Sequence, residues 1–153
     1  MRIITILFLA ATIMLSCNTA SKPDASQQAI PIIGTWQLIS GTLIEKGDTT
    51  VTDYTKDKSQ IKIINATHFA FLNHTLDKRK TRPDDFVAGG GHYTLDGDKY
   101  TENLEYCSAR QWENNKFSFT VSIQNDTLIQ TGVEKIDSIG VNRLNIEKYY
   151  RVK

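Results

Sequence analysis

The chain has 153 residues, with 18 Lys and Arg set against 17 Asp and Glu for a net charge of +1, and it contains two cysteines. That length carries one domain with a real core and is too short for two comfortable ones. Near-neutrality excludes recruitment of nucleic acid or an anionic membrane by a global field.

At the N-terminus, Met1-Arg2 gives a small positive start, Ile3 to Leu15 an almost unbroken apolar run, and "IMLSC" ends that run at Cys17. This is the layout of a secretory signal. The run is too short to span a bilayer as a helix. Ser16 and Cys17 fit a bacterial lipobox, in which a small residue precedes a cysteine that is lipidated and becomes the new N-terminus; an ordinary cleaved signal beside an incidental cysteine is the other reading. Lipidation of Cys17 leaves Cys107 alone, so no intrachain disulfide is expected and stability must come from packing. Cys107 follows an apolar strand pattern, where a lone cysteine is more often a small core residue than a reactive thiol.

Residues 1–16 thus read as a lipoprotein signal peptide, 17–31 as a lipid-anchored tether and 32–153 as the folded domain. The tether, "NTASKPDASQQAIP", is poor in anything that builds a core. A flexible segment of about 14 residues spans roughly 20 Å, which holds a domain close to a membrane surface. The expected location is the cell envelope, lipid-anchored at the outer membrane and facing the periplasm, because acidic residues of the kind that promote surface export do not cluster after Cys17.

From Gly34 onward short alternating segments are separated by turn chemistry, with no trustworthy helical period. Strands are expected at Thr35 to Ile44, Gln60 to Ile64, His68 to Asn73, His92 to Leu95, Lys99 to Tyr106, Lys116 to Ile123, Thr127 to Val133 and Leu144 to Val152, with a short one near Thr49 to Tyr54. Asp96-Gly97 is the strongest hairpin signal. "KFSFTVSI" puts Phe117, Phe119, Val121 and Ile123 on one face and Lys116, Ser118, Thr120 and Ser122 on the other, so one side is packed and one is wet. Eight or nine sequential strands call for an antiparallel up-and-down meander that closes into a barrel to remove its edges.

"GTW" at Gly34 to Trp36 resembles the Gly-x-Trp signature of lipocalins and their calycin relatives, and "THFAF" (Thr67 to Phe71), "GGGHYTLDGDKYTENLEY" (Gly89 to Tyr106) and "EKYYRV" (Glu147 to Val152) are similar to the small lipocalin-like domains of Bacteroidetes envelope proteins. The resemblance covers nearly all of the mature chain. It implies a lipocalin-like β-barrel of about 8–9 strands, in which Arg151 closes the barrel over Trp36 through a cation-π contact. It implies architecture far more than activity.

In "YTENLEY", Tyr100, Glu102, Leu104 and Tyr106 share one face of the expected strand, and a carboxylate on that bulky face is expensive to bury unless something pairs with it or water reaches it. A two-residue turn at Asp96-Gly97 puts Tyr93 across from Tyr100 and Gly91 across from Glu102; a loop of Asp96 to Asp98 puts His92 there instead. Two readings follow. Glu102, with Tyr93, Tyr100, Tyr106, His68 and His92, orients a ligand in a mostly apolar cavity; or Glu102 is bonded by an arginine, a histidine or tyrosine hydroxyls as structure. The Gly89-Gly90-Gly91 run favours open space, and it is no phosphate loop, since no Gly-Lys-Ser/Thr follows.

The three histidines, His68, His74 and His92, lack metal spacings, and the C-terminal strand holds no histidine of the kind through which some calycin relatives bind haem. No metal and no cofactor is therefore expected. No Gly-x-Ser-x-Gly, His-Glu-x-x-His or Ser/His/Asp ordering appears, and the chain is read as non-enzymatic. "LDKRKTRPDD" (Leu76 to Asp85) is a solvated loop or a basic lid favouring an anionic headgroup. Asp48-Thr49-Thr50, Asp126-Thr127-Leu128 and Asp137-Ser138-Ile139 resemble bacterial O-glycosylation sites. The expected function is binding of a small apolar or amphipathic ligand; the alternative is a filled barrel acting as a protein-binding or structural envelope module.

Overall fold

The computed structural model describes residues 30–79, 82 and 85–153; the expected signal segment, Cys17 and nearly all of the expected tether lie outside the described residues. Ten strands are present among them: β1 (Gly34–Glu45), β2 (Asp48–Asp53), β3 (Lys58–Ile64), β4 (His68–Thr75), β5 (Phe86–Asp96), β6 (Lys99–Leu104), β7 (Tyr106–Cys107), β8 (Asn115–Gln124), β9 (Thr127–Ile136) and β10 (Val141–Arg151). Eight of them, in the order β1-β3-β4-β5-β6-β8-β9-β10, close into an antiparallel barrel because β10 returns to pair with β1. β2 lies beside the later half of β1, and β7 continues the line of β6 along β5. The result is an all-β barrel consistent with a lipocalin-like fold.

Tight turns set the meander. Lys46-Gly47 and Asn125-Asp126 carry positive φ at both central residues, the conformation that matches the right-handed twist of the flanking strands. Two bulges then decide which side chains enter the barrel. On β1 the pairing with β10 shifts between Leu38 and Ser40, so Trp36 and Leu38 point inward before it, and Gly41 and Leu43 line the interior after it. Between β6 and β7, Tyr93 pairs with Glu102 but Gly90 pairs with Tyr106, which leaves one extra residue at Glu105. Leu104 and Cys107 are both buried as a result, and Tyr106 turns outward, 71% exposed.

The Lys99 hairpin follows neither expected register. Its two-residue turn is Gly97-Asp98, flanked by the pair Asp96 and Lys99, so Tyr93 lies opposite Glu102 and Leu95 opposite Tyr100. This differs by two positions from the register with Gly91 opposite Glu102. Because side chains alternate with period two, the same face stays inside. The His92 alternative would have reversed the faces and does not occur.

One end of the barrel is sealed. Ile32, Trp36, Leu38, Ile64, Phe69, Tyr100, Phe119, Val121, Leu128 and Tyr149 form its buried core. Trp36 donates its indole N–H to the Ile32 carbonyl at 2.7 Å. The Arg151 guanidinium lies 4.1 Å from the Trp36 ring centre and donates to the Pro31 and Ile33 carbonyls, tying the last strand to the segment that enters β1.

Candidate functional site

The other half of the barrel is hollow. A cavity of about 370 Å³ opens among the ends of β1, β2, β4, β5, β9 and β10 and the short 3₁₀ turn Arg110–Trp112. Its walls are partly aromatic, from Tyr54, Phe71, Trp112 and Phe117, and partly polar, from Gln60, Asn73, Glu134 and Asn145. The volume falls within the range of small-molecule pockets, and the lining is more polar than the mostly apolar walls usual for them.

The cavity floor is where Glu102 meets its partner. Lys62 of β3 reaches across the interior and places its Nζ 2.7 Å from Glu102 Oε1, 3.0 Å from Gln130 Oε1 and 3.9 Å from Glu147 Oε2. The ammonium also lies 5.3 Å from the Tyr149 ring centre. Glu147 Oε2 accepts from the Tyr149 hydroxyl at 2.7 Å and from Gln130 Nε2 at 3.2 Å. Nearer the mouth Arg143 donates to Glu134 at 2.7 Å, stacks its guanidinium 5.0 Å from the Trp112 ring centre, and shares Glu134 with Asn145.

Burial and charge work against each other here. Burial pushes the Glu102 carboxyl above its ordinary value, while Lys62 holds it back. For Lys62 burial favours the neutral amine, yet Glu102, Glu147 and Glu134 together raise it above an ordinary lysine. The Tyr149 and Tyr100 hydroxyls are pushed far up, by burial first and then by neighbouring carboxylates. Tyr100 Oη falls short of a well-formed hydrogen bond, the one such buried side-chain polar atom among the described residues. Burial likewise raises the Cys107 thiol, so it lines the cavity wall as a neutral group.

The expected ligand-binding residues separate. Glu102 and Tyr93 face inward as a cross-strand pair, with Tyr93 stacked against Tyr100 at 5.2 Å between ring centres. Glu102 lines the cavity, whereas Tyr100 belongs to the sealed core beneath it. His68, His92 and Tyr106 stand on the outer surface. The bulge at Glu105 turns Tyr106 out, and His68 pairs with His92 on the wet face of β4 and β5. His92 in turn meets Glu105 at 2.8 Å. These three therefore contact nothing in the cavity, a correction to the inward grouping.

Lys62, Gln130, Glu134, Arg143, Asn145 and Glu147 are site residues that the sequence pattern alone does not single out. Alternation of β3 conceals Lys62, because Ile61 and Ile63 present the more apolar face to the eye while Gln60, Lys62 and Ile64 point in. A usable signal existed at the other end: if Arg151 covers Trp36, the same face of β10 carries Tyr149, Glu147, Asn145 and Arg143.

Among the described residues no group of three or more His, Cys, Asp or Glu is placed to hold a metal. In the charged run, Arg79 is held by Asp77 and Arg82 by Asp85; residues 80, 81, 83 and 84 lie outside the described residues, and with them part of the expected lid. Fold and cavity together define the class: a closed antiparallel barrel with one sealed end and one hollow end, compatible with ligand binding. No protein-family model matches the chain, and no curated protein does either.

Proposed function

We propose that the protein is a lipocalin-like envelope lipoprotein, non-catalytic, that binds a small amphipathic molecule in the hollow half of its barrel. The observation that carries the reading is the cavity of about 370 Å³, with aromatic walls and a floor built from Lys62, Glu102, Gln130 and Glu147. A filled structural barrel would have no reason to keep such a space beside buried charges, since packing side chains into it recovers both contact and desolvation energy. Placement in the envelope rests on the "IMLSC" segment and on the resemblance to Bacteroidetes lipocalin-like domains. The anchor would tether the domain through the segment that enters β1 at the sealed end of the barrel.

Native mass spectrometry of protein purified from its own envelope without detergent tests the reading. A co-purifying mass in the wild type, weakened in Glu102→Gln, is the expected result. An apo mass in both, with the variant merely less stable, would make the floor cluster structural and would move the search for partners to the outer surface.

A further inference from the structure

The charges of the cavity do not balance. Its lining holds three carboxylates, Glu102, Glu134 and Glu147, and two cations, Lys62 and Arg143. Each cation is already committed: Lys62 contacts Glu102 at 2.7 Å and Arg143 contacts Glu134 at 2.7 Å. Glu147 is left with the surplus. Lys62 stands 3.9 Å away from it, and its direct partners, Tyr149 and Gln130, are neutral donors that both serve Oε2. Among the described residues no hydrogen bond reaches Glu147 Oε1, although the side chain is only 16% exposed.

An anionic ligand would meet a net negative lining in which Lys62 is 3% exposed against Glu102 and Arg143, the more exposed cation, already donates its Nε to Glu134. A purely apolar ligand would cover Glu147 Oε1 and give no hydrogen bond back, and such desolvation of a carboxylate oxygen is costly. A primary ammonium satisfies both conditions. It would donate to Oε1 in a charge-assisted hydrogen bond and bring its apolar body against Phe71, Phe117 and Trp112. One face of Trp112 is already taken by Arg143, which directs the charged head to the floor rather than to the indole.

Resting on the reading that the cavity holds a ligand, we infer that the ligand is a small amphipathic amine, bound with its ammonium on Glu147. This is the opposite charge class from the anionic headgroup that the basic run at Leu76 to Asp85 would favour.

Isothermal titration of the full chain at neutral pH with octylammonium, 1-octanol and octanoate, each below its aggregation threshold, tests the inference. Octylammonium is expected to bind one per chain and about tenfold or more tighter than octanol, as a charge-assisted bond should give, with octanoate weakest. Glu147→Gln should bring octylammonium down to the level of octanol. Octanol or octanoate binding as tightly as octylammonium would overturn the amine assignment and leave the cavity reading standing, and so would an unchanged preference in a folded Glu147→Gln. Binding of none of the three would overturn both. The charge series on the unaltered protein decides the matter even if the variant does not fold.

Discussion

Lys62 and Glu102 are each buried in the barrel interior, 2.7 Å apart, and the energetics of such a pair are asymmetric. Bringing both charges out of water costs several kcal/mol per ion, and their attraction roughly returns it; removing one partner strands the other and costs about 3–5 kcal/mol. Lys62→Met and Glu102→Leu should each lower stability by about that amount in urea denaturation, while the double variant recovers most of the loss. Equal, additive losses would mean that the two side chains are not coupled. The same residues set the alkaline limit. Lys62, Tyr100 and Tyr149 have folded pKa values raised above ordinary values of 10.5 for lysine and 10.0 for tyrosine. The unfolded chain therefore releases these protons first, and stability present below about pH 10 must fall as pH rises. Thermal melts between about pH 8 and about pH 11.5 should show this fall, less steeply in the Lys62/Glu102 double variant.

At the scale of elements, Gly91 shows how closely two strands approach where the sheet bends. A Cβ on Gly91 would lie 1.9 Å from the Asn103 carbonyl oxygen, a backbone atom that cannot move aside cheaply. Gly91→Ala should cost about 2 kcal/mol or more, measured as a lowered urea midpoint. The glycine run also explains why β5 was under-read: Gly89, Gly90 and Gly91 carry no side chain to alternate, so the legible strand began at His92, whereas β5 starts at Phe86. Where side chains do alternate, as from Phe117 to Ile123, the expected strand and its inward face were legible. Tyr106 was misplaced for a related reason. A single extra residue at Glu105 reverses the faces without changing the sequence pattern around it, and it is the register change and the backbone bond from Glu105 N–H to the Gly90 carbonyl that reveal it. The cavity floor was half legible: Glu102 stood out as a charge on an apolar face, but its partner lay 40 residues earlier, on a strand where Ile61 and Ile63 point away from the interior.

For the whole molecule the barrel is divided between stability and function. The sealed end holds the large buried side chains and the Arg151 clamp over Trp36. Arg151→Met should cost about 1–2 kcal/mol through the lost carbonyl bonds and ring contact. Hydrogen exchange should locate that loss, with the amide of Val152, which bonds to the Thr35 carbonyl across this closure, exchanging faster. The hollow end carries the proposed function, and a substitution that fills it without disturbing the sealed end separates the two. Val87 lines the cavity, while Leu72 is 38% exposed. Native mass spectrometry of the wild type, Val87→Phe and Leu72→Phe, each purified from its own envelope without detergent, is the most direct measurement. A bound mass present in the wild type and Leu72→Phe but absent from Val87→Phe is the predicted result. The same mass on all three, or on none, would contradict a ligand held inside the barrel.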